Sequence, residues 1–330
     1  MRIQYTRFAA RMLVGLTVAA IGFAGSVNFR QGKDRIEVVV NGKPFTTYYF
    51  GSNAAKAYLM PLRTASGIII SRPFPIGNDV AHADPHASSF EPHQRPLYFA
   101  HGDIDGLNFW GEAAFQKFYG AHSHEAFGHM ANARIEGVHE GGQYGNIKAS
   151  FALEDQNGRV IGEETQSYTF SGDERLRIID CEFTLKADHG PMTLGDSKEG
   201  TFAVRLGPEL SEQQVKMVNS LNGNGEPEIW GKPADWVEYH GTVSGRPVGI
   251  AVFDHPKSFR HPTTWHARAY GLLAANPFGL REFTNNAKKD GSWTIPEGGS
   301  LSFRYRVVIH DGDLPPARIS NLYRQYASAP

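Results

Sequence analysis

Cysteine is almost missing from this chain: Cys181 is the one thiol in 330 residues. No intramolecular disulfide can form, so the fold must be held by its core alone. A charge of one sign is missing too. Lysine plus arginine number 33 against 34 aspartates and glutamates, a formal net charge of -1, which leaves no overall field to gather nucleic acid or an anionic membrane surface. Helical periodicity is sparse, and no βαβ alternation, GxGxxG loop or GxxxxGKS/T loop occurs, which argues against a doubly wound nucleotide-binding fold. GxSxG, HExxH and CxxC are absent as well, removing the usual support for serine-hydrolase, zincin and thioredoxin chemistry.

Long apolar runs are confined to the start, MRIQYTRFAARMLVGLTVAAIGFAGS. Arg2, Arg7 and Arg11 form a positive region, Met12 to Phe23 an apolar one, and Gly22, Ala24 and Gly25 supply the small residues of a cleavage site. This is the grammar of a secretory signal peptide over 1–24. The alternative, an uncleaved anchor, needs about 20 apolar residues and the run is shorter. The expectation is a periplasmic or extracellular protein with no integral membrane domain and with residues 25–330 as one domain.

What the chain has is strands. RIEVVVNGKPFTTYYF (35–50) reads as two strands about Asn41-Gly42, the pair a tight hairpin favours because both central residues need positive φ. The device recurs at Asn157-Gly158 and Ser244-Gly245. LRIIDCEFTL and LSFRYRVVIH supply further strands, the second setting Leu301, Phe303, Tyr305, Val307 and Ile309 against Ser302, Arg304 and Arg306. Helices are expected only at SEQQVKMVNSL (211–221), opened by Ser211 and Gln214 in a capping-box spacing, and at the C-terminus, where Ile319, Leu322, Tyr323 and Tyr326 share a face. With 36 glycines and 19 prolines in the chain to turn and edge its strands, the fold class expected is all-β: a large antiparallel two-sheet β-sandwich with a short C-terminal helix. The oligomeric state is left open.

Eight of the 14 histidines fall between His82 and His139, and four between His240 and His266. In EPHQRPLYFAHGDIDGLNFW (91–110), an extended Arg95 to His101 would align Arg95, Leu97, Phe99 and His101 on one face. In FRHPTTWHARAYG (259–271), a strand from Thr264 to Tyr270 would turn Trp265, Ala267 and Ala269 toward a core and Thr264, His266, Arg268 and Tyr270 the other way. Histidine and tyrosine exchange protons, and arginine holds a carboxylate or developing oxyanion; a solvated sheet face is the plain alternative. His82, His86, His93 and His101 could instead be metal ligands, although nothing in the sequence requires a cofactor. His122 and His124 read as solvated loop residues. The acidic pairs Asp103 with Asp105 and Glu163 with Glu164 read as turn or strand residues, since adjacency in sequence does not give a glycosidase separation.

EPHQRPLYFAHGDIDGLNFWGE together with GIAVFDHPKSFRHPTTWHARAYGLLAANPFG resembles a bacterial family labelled PmoA-family, or methane oxygenase PmoA, over about Val40 to Ile309. The resemblance implies an exported β-sandwich similar in layout to the mutarotase-like supersandwich, a fold shared by sugar epimerases, lyases and hydrolases. The label is not carried over as chemistry, because the membrane methane monooxygenase subunit spans a bilayer many times and this sequence has no such set of segments. Where the family suggests a run like HPHHR, this chain has Glu91-Pro92-His93-Gln94-Arg95. That departure weakens any metal role, with Glu91 a substitute ligand if one exists.

The reading that follows is an exported carbohydrate-active enzyme acting on a glycan or acidic sugar, by elimination, hydrolysis or epimerisation. His93, His101, His261, His266 and Arg268 are the candidates for proton transfer and charge neutralisation. Arg95, Asp103, Trp265, Tyr270 and His255 are the candidates for substrate binding. A non-catalytic glycan-binding or structural envelope protein is the second reading, and a metal-dependent oxidoreductase the third.

Overall fold

A computed structural model describes residues 25–74, 91–118, 125–211 and 215–329; the expected leader over 1–24 and His82, His86, His122 and His124 lie outside them. Two eight-stranded sheets dominate. In spatial order the first is β1 (Val27–Gln31), β2 (Arg35–Val40), β3 (Lys43–Tyr49), β4 (Tyr58–Leu59), β5 (Leu97–Phe99), β11 (Phe202–Arg205), β16 (Leu272–Ala275) and β15 (Trp265–Arg268). The second is β12 (Lys216–Asn219), β13 (Trp236–Val243), β14 (Arg246–Asp254), β18 (Ser300–Asp311), β9 (Leu176–Lys186), β8 (Val160–Gly172), β7 (Gly145–Asp155) and β6 (Gly128–His139). A small ribbon pairs β10 (Met192–Leu194) with β17 (Trp293–Ile295). All these neighbours run antiparallel.

The hairpins form where the turn residues ask for them. Asn41 and Gly42 take φ of 55° and 72°, and Ser244 and Gly245 take 50° and 76°, the left-handed pair whose twist matches that of the flanking strands. At Asn157-Gly158 only the glycine is left-handed, at 80°. There Asp155 closes a longer turn by accepting from the N–H of Asn157 and Arg159, at 2.8 and 3.0 Å.

Strand alternation on the two facing surfaces builds one continuous core. Aromatic rings bridge the layers: Phe99 stacks on Phe183 with centroids 4.4 Å apart, and Phe202 on Tyr305 at 4.8 Å. The back of the second sheet carries a smaller core. There Ile319, Leu322 and Tyr326 of the C-terminal helix (Pro316–Ala327) cover Trp236, Ala251, Phe253 and Val308, as the helical spacing of those residues requires. The all-β two-sheet architecture with its short C-terminal helix is therefore that expected from the sequence. Among the described residues no helix is long and apolar enough to cross a membrane.

Two local expectations are corrected. Residues 216–219, expected in a helix, form strand β12 beside β13, because Met217 and Asn219 are buried while Lys216 is exposed, a period of two. The segment from Arg95 to His101 is strand only over Leu97–Phe99. Its ends leave the sheet: Arg95 is claimed by Glu112 and His101 by the Gly195 carbonyl, so the four residues do not share one face.

Candidate functional site

Strand β15 builds one wall of a cleft. Trp265 and Ala267 are fully buried in the core, the Trp265 indole donating to the Ala234 carbonyl at 2.9 Å. Alternation then turns His266 and Arg268 to the opposite face, where they line a cleft of about 670 Å³. The strand stops at Arg268, so Ala269, expected beside Trp265 and Ala267, lines the cleft instead and donates its N–H to Glu226 Oε2 at 2.7 Å. Tyr270 follows it. Loops supply the other walls with His93, Trp110 and Glu199.

The two bonds to the His266 ring fix its state. Nδ1 stands 2.9 Å from the Lys198 carbonyl, which can only accept, so Nδ1 carries the proton. Nε2 is left to accept from Arg268 Nε at 3.3 Å, and Arg268 Nη1 donates to Glu226 Oε1 at 2.8 Å. Burial, reinforced by Arg268, pushes the His266 pKa down to about 3. The imidazole is thus neutral with both nitrogens engaged, and it orients the guanidinium.

Glu199 is brought in by a close approach of two loops. The Gly102 N–H donates to the Glu199 carbonyl at 2.6 Å, and a Cβ at position 102 would lie 2.7 Å from Ser197 Oγ and 2.9 Å from Glu199 Cβ. Only glycine allows that spacing. Burial raises the Glu199 carboxyl to about 7, with Lys198 opposing and Glu91 and Glu282 adding to the rise. Lys198 itself is engaged with Glu282 at 2.8 Å. The Tyr270 phenol is pushed up to about 12 by burial and then by Glu199, so it stays protonated.

Behind the cleft sits a buried ionic knot. Arg95 grips Glu112 through Nε at 2.8 Å and Nη2 at 2.5 Å and lies over the Phe74 ring, 3.4 Å from its centroid. Lys56 donates to the Trp110 carbonyl and stands 3.4 Å from Glu112; burial lowers its pKa to about 8. His93, between this knot and the cleft, is held well below the usual imidazole range by burial and then by Lys56, Arg72, Arg95 and Arg205.

Of the ten residues singled out in the sequence, the cleft therefore gathers His93, His266, Arg268 and Tyr270 on its walls and has Arg95 behind them. The other five lie elsewhere. His101 is fully buried, with Nε2 on the Gly195 carbonyl at 2.8 Å and its ring against Phe278, and burial lowers its pKa to about 4. Asp103 closes a turn by accepting from the Gly106 N–H at 2.9 Å. Trp265 belongs to the core. His255 packs edge-on against Tyr326 under the C-terminal helix. His261 pairs with the buried Asp254 at 2.8 Å, a hydrogen bond that raises its pKa. Among the described residues no three of histidine, cysteine, aspartate and glutamate stand close enough to hold a metal ion.

Sequence reasoning missed Glu199, Glu226, Glu112 and Lys56. Glu199 reads as turn text in GDSKEGTF, and Glu226 heads a four-residue helix, α1 (Glu226–Ile229); neither carries a periodic signal. A larger open hollow of about 1300 Å³, between Asn41, Tyr144, Arg175 and Arg318, contains none of the candidate residues.

Solved structures similar to the chain include an α-galactosidase from Lactobacillus brevis, at 6% identity and a TM-score of 0.36, over 87% of this chain and 39% of that one. Galactose mutarotase-like proteins from Lactobacillus casei and Clostridium acetobutylicum are similar at 9% and 10% identity, with TM-scores of 0.38 and 0.35, over 86% and 85% of this chain and all of theirs. This chain thus spans well under half of the α-galactosidase, and likenesses this remote carry no argument about chemistry. No curated protein matches the sequence. A family match does cover most of the chain: over residues 35–324 it belongs to the family of unknown function DUF6807.

Proposed function

We propose that the cleft binds a neutral, hydroxyl-rich carbohydrate and that Glu199 moves a proton on it. The observation that carries this reading is a carboxyl raised to about 7 on the wall of an open polar cleft, since a group half protonated at working pH serves best as general acid or base. His266 and Tyr270 do not titrate near neutrality, so Tyr270 offers a hydroxyl and His266 holds Arg268 in place. The two cations that line the cleft, Arg268 and Lys198, already hold Glu226 and Glu282. That favours a neutral sugar over an acidic one, whose carboxylate would have to displace a glutamate. The leader grammar of residues 1–24 supports an exported setting.

The test is product analysis of neutral glycans and monosaccharides incubated with the wild type and Glu199→Gln. Turnover by the wild type should follow an ionisation near pH 7, and the substitution should lower it by roughly 10²–10⁴-fold, the usual worth of a positioned acid or base. Saturable binding without any product in either protein would leave a glycan-binding role and remove the catalytic one. Full turnover by Glu199→Gln would assign the proton to another group.

A further inference from the structure

The cleft does not end at Arg268. Glu226 and Arg268 also line an adjoining open depression of about 530 Å³, completed by Pro227 and Trp230. Its surface is firmly seated. Ile229 is fully buried, the Gly231 N–H donates to the Trp265 carbonyl at 2.8 Å, and the Trp230 N–H donates to the Glu226 carbonyl at 2.9 Å, which ties this short helical segment to β15. Phe283 meets the Trp230 ring edge-on at 5.2 Å, and the Arg268 guanidinium lies 5.1 Å from its centroid. Glu226 in turn fixes both Arg268 Nη1 and the Ala269 N–H. An indole held in one orientation, with the Arg268 guanidinium over one face and a carboxylate beside it, suits a pyranose ring: the apolar face of the sugar lies on the part of the ring turned to the depression and its hydroxyls meet the charged groups.

We propose that the site reads a chain of linked sugars. One residue sits in the cleft beside Glu199, and the next crosses the Arg268–Glu226 pair onto Trp230. The substrate class is then an oligosaccharide or longer glycan, not a free monosaccharide. Because Arg268 and Glu226 face both hollows, a ligand that spans them contacts the pair from either side, so binding should strengthen once the chain is long enough to cross. This inference rests on the reading of the cleft as a sugar site.

Calorimetric titration with cello-, manno- and xylo-oligosaccharides of one to six residues tests it, on the wild type, Trp230→Ala and Trp230→Phe. In the wild type one series should gain roughly tenfold or more in affinity between a single sugar and a chain of two or three. In Trp230→Ala the ratio of long-chain to single-sugar affinity should collapse toward one, and Trp230→Phe should restore most of it. A wild type that binds single sugars as tightly as longer chains overturns the extended site and leaves the cleft reading standing, an outcome that needs no variant to fold. A Trp230→Ala protein that loses single sugars and chains in equal proportion also overturns it. If no sugar of any length binds the wild type, the cleft reading fails and the extended site with it.

Discussion

Glu112 and Glu199 both sit in the loops that cover the first sheet, and they are opposites. Glu112 is 3% exposed and in direct contact with two cations, Arg95 at 2.5 and 2.8 Å and Lys56 at 3.4 Å. The Glu199 carboxyl accepts no hydrogen bond among the described residues, and the lysine beside it is engaged by Glu282 at 2.8 Å. A buried carboxylate gripped by opposite charge is structural, because its ionised form is fully compensated. One that is buried without such a grip is pushed toward its neutral form and becomes a proton donor or acceptor at working pH. Both are glutamates, Glu112 the deeper and Glu199 half-buried; the contact, not the depth, decides.

The largest effect should come from breaking the knot. Arg95→Ala leaves Glu112 buried with half its compensation, and losing one partner of a buried pair costs about 3–5 kcal/mol. Guanidinium denaturation should show that loss. Glu199→Gln removes no ion pair, and at neutral pH it should leave stability the same or higher. An Arg95→Ala protein no less stable than Glu199→Gln would erase the distinction.

A second, smaller effect follows the Glu199 carboxyl with pH. The Glu199 pKa is raised in the folded state from its ordinary 4.5 to about 7, so the folded protein retains a proton that the unfolded chain releases. Its contribution to stability is fully present below pH 4.5 and is lost as pH rises through about 7. The core holds another such group. Glu164 accepts from Gln166 Nε2 at 2.7 Å, in a network completed by Tyr48 and Tyr168 donating to Gln166 Oε1, and burial raises it to about 8. Below the ordinary imidazole pKa of 6.5 the buried neutral His93, His101 and His266 act in the opposite sense, so the fall in the thermal midpoint of the wild type should appear between pH 6.5 and 8. Glu199→Gln should flatten the lower part of that fall and Glu164→Gln the whole range. Parallel curves for wild type and both variants would show that neither carboxyl keeps its proton on folding.

The same contrast explains what could be read in advance. Period-two alternation determines which way a strand residue points, so His266 and Arg268 were legible in FRHPTTWHARAYG as a polar face opposite Trp265, and the hairpins were legible in Asn41-Gly42 and Ser244-Gly245. Loop residues follow no period. Arg95 and His101 looked like strand neighbours of Leu97 and Phe99, but their orientation is set by Glu112 and by the Gly195 carbonyl, 17 and 94 positions away in sequence. Glu199 reaches the cleft only because Gly102 lets a distant loop close on it. Histidine clustering was misleading for a related reason: His101, His255 and His261 satisfy buried or turn-forming polar groups, a use that composition does not distinguish from catalysis.

The smallest effect on stability tests the pair beside Glu199. Lys198 and Glu282 are 2.8 Å apart with side chains 33% and 47% exposed, and such a solvated pair contributes roughly 0–1 kcal/mol. Lys198→Ala should therefore barely move the denaturation midpoint. Its effect on Glu199 should be plain, because Lys198 opposes the rise of that carboxyl and Glu282 adds to it. Removing the lysine deletes the one influence and leaves the other without its counterion, so both changes act in the same direction. The Glu199 ionisation, followed by carbon NMR of the labelled carboxyl or as the limb of a pH–rate profile, should move upward from about 7. An ionisation that stays in place would show that Glu199 does not sense the pair, and its raised pKa would then rest on burial and on Glu91.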